Sequence, residues 1–176
     1  MKDWNYSERR NKSMDGESLE RHCRALLTFS TEVMRTFHVY PYAAYVIKDN
    51  KILATGRNEE KETLDVTRQS EVVAIRDAQR ILSTGSLEGC TLLSLMEPTI
   101  LSFDVAMWAG IRDFAWCVDA SYFSEHYTIM NYSPLTYKSV YPQKISITNG
   151  LYTDDAIQLI EEAKRLKYYP DALLIR

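Results

Sequence analysis

From Glu17 onward the apolar positions Leu19, Cys23, Leu26, Leu27, Val33, Met34 and Phe37 recur at three- and four-residue steps, the spacing that lines one face of an α-helix. That helix must end before Pro41, since proline bars its predecessor from helical geometry. Residues 42–47 and 51–54 are rich in strand formers, and the Lys48-Asp49-Asn50 tripeptide between them predicts a hairpin. A polar, loop-like stretch, 58–67, leads into a second helix carrying Val72, Ile75, Ala78 and Leu82, with Gly85 as its expected stop. Residues 90–95 read as a buried strand, 99–109 as a third helix and 114–118 as another strand, and strand, helix, strand predicts parallel neighbours. A Tyr-rich irregular region, 122–141, precedes a last strand over 144–148 and a last helix over 154–166. Alternation of this kind is that of an α/β layered domain.

Residues 1–16 are polar and carry nothing able to anchor a core, so the pattern divides the 176 residues into a flexible N-terminal arm, 1–16, and one domain, 17–176. With 45% hydrophobic and 26% charged residues the composition is that of a globular protein, and no apolar run is long enough to span a bilayer. The start of the chain lacks the apolar centre of a signal peptide, which leaves the cytoplasm as the expected location. A formal charge of -3 gives no general attraction for nucleic acid or an anionic membrane, so neither is expected as a partner. Cys23, Cys90 and Cys117 are three widely spaced cysteines without a CxxC pair, which predicts reduced core residues, neither a disulfide framework nor a zinc ribbon.

Three segments in order resemble the cytidine deaminase-like superfamily, in the branch that holds guanine, cytidylate and tRNA adenosine deaminases. Residues 40–49, YPYAAYVIKD, are similar to the first-strand motif PFGAVIVKDG, and Gly56-Arg57-Asn58 to the GxN that follows it. Residues 65–76, DVTRQSEVVAIR, resemble DPTAHAEVxAIR. Glu97-Pro98-Thr99-Ile100-Leu101-Ser102, continuing to Trp108-Ala109-Gly110-Ile111, resembles EPCPMC continuing to WARI. The resemblance implies a three-layer fold, a mixed central sheet with helices on both faces, and a homodimer or a subunit of a heteromer. It also implies a His and two Cys that hold zinc, and a Glu that moves protons while zinc-bound hydroxide attacks an amino-bearing carbon.

At those positions this chain has Gln69, Thr99 and Ser102, whereas Glu71 is kept. Zinc is held in proteins by imidazole, thiolate or carboxylate, and neutral amide and hydroxyl oxygens are poor donors. The expectation is therefore no cofactor, zinc included, and a deaminase-fold protein that binds a purine- or pyrimidine-like ligand or a protein partner without zinc-dependent deamination. One alternative is a metal-independent enzyme using Glu71 as general acid or base; another is an unrecognised nucleoside or nucleobase deaminase built on His22, His38, His126 and the cysteines.

The candidate ligand-binding residues are Asn58, Gln69, Ser70, Thr99, Ser102 and Trp108, with Glu71 as the catalytic candidate. Each has a plainer role open to it. Asn58 suits a turn after a strand, Thr99 a helix N-cap, Glu71 a helix N-terminus and Trp108 a core position. Gln69 could hydrogen-bond a ligand amide, or bond to Ser102 and close the space left by the missing ligands.

Overall fold

The computed structural model describes residues 14–123, 133–134, 141 and 143–168. Five helices and five strands occur among them. α1 (Gly16–Phe37) leads to the hairpin β1 (Ala43–Lys48) and β2 (Lys51–Arg57), then α2 (Glu60–Thr63), α3 (Ser70–Leu82), β3 (Thr91–Met96), α4 (Ile100–Trp108) and β4 (Asp113–Val118). A 3-10 turn (Ala120–Phe123), β5 (Ser146–Thr148) and α5 (Thr153–Arg165) complete the order. The sheet runs β2-β1-β3-β4-β5, with β1 antiparallel to both β2 and β3 and the β3-β4 and β4-β5 pairs parallel.

Successive residues of a strand point to opposite faces, and here both faces are covered. Ala44, Val46, Leu92, Phe114 and Trp116 join Ala74, Ile75 and Ala78 of α3 and Phe103 and Ala106 of α4 in one core. Ala43, Tyr45, Ile47, Leu93, Leu95, Ala115 and Cys117 join Leu19, Cys23 and Leu26 of α1 and Ala156 and Ile160 of α5 in the other. This double burial is why β1, β3 and β4 read as continuous apolar runs in the sequence.

The ends of the elements differ from the sequence pattern where a local device overrides it. Asp15 caps α1 by accepting from the Ser18 N–H at 2.8 Å, and Met14 packs on the core beside it. At the hairpin, Asp49 and Asn50 both have positive φ, 49° and 61°, as a two-residue type I′ turn requires. β2 continues three residues past the expected end, and the polar stretch after it contains the short α2. α3 stops at Ser83, whose φ of 50° is left-handed and whose N–H turns back to the last turn, two residues before the expected Gly85. Of the Tyr-rich region, Tyr127, Tyr132 and Tyr137 lie outside the described residues, as does His126, whereas Tyr122 is exposed and the Tyr141 hydroxyl bonds to Asp104.

Candidate functional site

Gly56 sets the position of the site. A Cβ added there would lie 2.1 Å from the Ser70 carbonyl oxygen and 2.7 Å from the Ala74 nitrogen, so β2 and the first turn of α3 touch backbone to backbone. Only the absence of a side chain permits this contact. Gln69, Ser70 and Glu71, at the start of α3 beside this contact, are all buried.

The two helix N-termini meet through side chains. Thr99 is the N-cap of α4, accepting from the Ser102 N–H at 3.2 Å. The Thr99 hydroxyl donates to Gln69 Oε1 at 2.5 Å, and the fully buried Ser102 hydroxyl donates to the same oxygen at 2.7 Å. Ser102 Oγ also lies 3.1 Å from Glu71 Oε2. Gln69, Thr99, Ser102 and Glu71 thus form one connected group, and the bond between Gln69 and Ser102 is the closure that the sequence left open as one of two uses of Gln69.

Glu71 is 6% exposed, and burial pushes its carboxyl up to about 6, against the bonds from its own N–H, Ser102 and Ser70 that favour the ionised form. The charge of Glu60 pushes in the same direction as burial. Glu60, 2% exposed, was not picked out from the sequence. Its only sequence signal is a carboxylate inside a polar stretch, which reads as solvated. Asn58 turns towards it: Asn58 Oδ1 accepts from the Glu60 N–H at 3.0 Å, and Asn58 Nδ2 donates to Glu60 Oε1 at 3.4 Å. This is the turn role open to Asn58, with its amide engaged by the neighbouring chain.

Ser70 is brought into the group through its bond to Glu71. Trp108 is not. It sits at the far end of α4, nine residues from Thr99, and is 92% exposed, so neither a place beside the site nor a core position describes it. A second residue missed is Glu97, 6% exposed, which accepts from the Ala120 N–H at 2.8 Å and from the Ser133 hydroxyl. Among the described residues no three of His, Cys, Asp and Glu converge as an ion would require.

The sequence profile of the cytidine and deoxycytidylate deaminase zinc-binding region matches residues 17–118. Guanine deaminase of Bacillus subtilis is 35% identical over 69 residues, which is 39% of this chain and 44% of that protein. The tRNA-specific adenosine deaminase of Aquifex aeolicus is 38% identical over 61 residues, 35% of this chain and 40% of that protein. The chain therefore spans less than half the length of these curated relatives. In three dimensions it is similar to a structure solved with 2,6-diaminopurine bound, at a TM-score of 0.70, 22% identity and coverage of 80% of each chain.

The profile match corrects the expectation that no cofactor belongs to this chain: the matched stretch is a zinc-binding region, and zinc is the group it implies. As arranged, the side chains at the three positions do not fit that ion. Donors around a tetrahedral zinc at about 2.1 Å stand roughly 3.4 Å from one another. Here the oxygens of Thr99, Ser102 and Gln69 are bonded together at 2.5 and 2.7 Å, and none is a thiolate, imidazole or carboxylate.

Proposed function

The chain belongs to the cytidine and deoxycytidylate deaminase family, and from that premise we propose that it binds a purine-like base where the N-termini of α3 and α4 meet, without deaminating it. The observation that carries this reading is Glu71, a buried carboxyl joined to Ser102, and through it to Gln69, and pushed up to about 6 by its burial. Near pH 7 such a group is mostly ionised and accepts ring or exocyclic N–H groups, while the Gln69 amide nitrogen supplies the donors that purine ring nitrogens need. The pairing suits a flat heterocycle with alternating donors and acceptors. The structural neighbour bound to 2,6-diaminopurine supports the choice of purines over other bases.

The test is thermal unfolding with guanine, 2,6-diaminopurine, adenine, cytosine and their nucleosides, each with and without added zinc. A purine at a hundred times its Kd should raise Tm by about 5 to 10 °C, and Glu71→Gln should remove the shift. Release of ammonia from any of these compounds would overturn the reading, as would the absence of a shift with every purine.

A protein partner is the second reading, favoured by α4. Its Leu101 and Trp108, seven residues apart and therefore on one face, are exposed at 36% and 92%. A second copy of the chain is the partner proposed for that face. Trp108→Lys should then convert a dimer to a monomer in light scattering, and an unchanged mass would reject it. Among the described residues no helix is long and apolar enough to cross a membrane. The three unpaired buried cysteines support a reducing compartment, the cytoplasm, as the place where the chain works.

A further inference from the structure

Every second residue from Ala54 to Glu60 is buried: Ala54, Gly56, Asn58 and Glu60 turn inward, while Thr55, Arg57 and Glu59 between them are less covered. The row faces the first turns of α3. Ala54 shares a core with Ala74 and Ala78, and a Cβ on Gly56 would meet Ser70 and Ala74. Beyond β2 the Glu59 N–H donates to the Arg68 carbonyl at 2.9 Å, so the chain at 58–60 runs beside the residue that precedes Gln69. Asn58 and Glu60 therefore stand on the side of Gln69 and Glu71, and the charge of Glu60 acts on Glu71 in agreement with that placement.

A carboxylate only 2% exposed needs a reason. The turn after β2 does not supply one, because its bond to Asn58 Oδ1 is made by the Glu60 backbone N–H, which almost any residue would offer. A four-residue helix such as α2 adds little dipole to offset the burial. The carboxylate itself accepts from Asn58 Nδ2 at 3.4 Å, a long bond for a buried charge.

We infer, on the reading that the site takes a purine, that Glu60 determines which purines: it accepts from an exocyclic amino group, so aminopurines bind and oxopurines are refused. An ionised carboxylate accepts hydrogen bonds and donates none. Together with Glu71 it gives the site two acceptors, while the Gln69 amide brings the donors. An amino group placed against Glu60 satisfies it. A carbonyl there sets two acceptors against each other away from water, and neither finds a proton.

Binding of 2,6-diaminopurine and of xanthine to the full chain would be measured by calorimetry at pH 7. The two share one ring system and carry amino or oxo groups at the same two carbons. The diamino compound should bind at least about 100-fold tighter. Glu60→Gln presents an amide whose nitrogen donates to a carbonyl, so it should cut the ratio to about tenfold or less, with xanthine gaining affinity. That gain is the readout a packing role would not produce, since lost packing weakens both bases alike. Should this variant not fold, Glu60→Asp takes its place: it keeps the charge but withdraws it by one methylene, and should weaken the diamino compound about tenfold without admitting xanthine. A ratio near one in the parent, a ratio that Glu60→Gln leaves unchanged, or parental affinities in Glu60→Asp would overturn the role of Glu60 and leave the purine site standing. Binding of neither base by the parent would overturn the purine site and this role with it.

Discussion

Glu71 and Glu97 are buried to the same degree, 6% exposed, and stand near the starts of neighbouring helices, but they are held in different ways. Glu97 accepts from a backbone N–H and a serine hydroxyl supplied by residues 120 and 133, donors from a separate stretch of chain. Glu71 accepts from its own N–H, from Ser70 and from the Ser102 hydroxyl, which has one proton and also faces Gln69, but its burial and the charge of Glu60 outweigh these bonds. The first carboxylate ties chain segments together. The second is left poised between two protonation states, the condition that suits a group for ligand or proton chemistry.

The comparison can be broken most strongly from outside either residue. Gly56→Ala places a Cβ against the Ser70 carbonyl, so α3 must move with Glu71 on it, while Glu97 keeps its partners. Urea unfolding should show a loss of at least about 3 kcal/mol; a variant as stable as the parent would mean that the close approach is not required.

Glu97→Ala should cost about 2 to 3 kcal/mol by the same measurement, because the Ala120 N–H and the Ser133 hydroxyl both lose their acceptor. The sign reverses at Glu71. Its carboxyl rises from an ordinary 4.5 to about 6, so folding favours the neutral form. The stability this contributes is full below about pH 4.5 and is lost as pH climbs through about 6. Glu71→Gln, neutral at every pH, should therefore be about 2 kcal/mol more stable than the parent at pH 8 and equal to it at pH 4.5. A difference independent of pH would show that Glu71 does not titrate where its burial implies. Thr99→Ala, the smallest effect, should cost about 1 kcal/mol through the lost N-cap, read from the same unfolding curves.

The order of helices and strands was legible because both sheet faces are covered and the apolar periods are long. Element ends were less so. Ser83 stops α3 by adopting a left-handed conformation that its residue type does not announce, and the pull of Gly85 as a better stop signal was misleading. At the site, the motif order located Gln69, Glu71, Thr99 and Ser102, and the joining of Gln69 to Ser102 followed from the need of buried polar groups for partners. Glu60 was not legible, since nothing in a run of charges marks the one that turns inward. Trp108 shows the converse: a residue that matches a motif and is apolar can still face solvent.

One feature of the sheet bears on how the molecule behaves in a crowded solution. Among the described residues the sheet is bounded on one side by β5, only three residues long, and on the other by β2, which begins with Lys51 and ends with Arg57. Long, flat, uncharged edges are templates on which other chains add strands and fibrils grow. A short edge on one side and a cation-flanked, bulged hairpin on the other offer little purchase for that growth, so misassembly by strand addition is disfavoured on both flanks of the sheet.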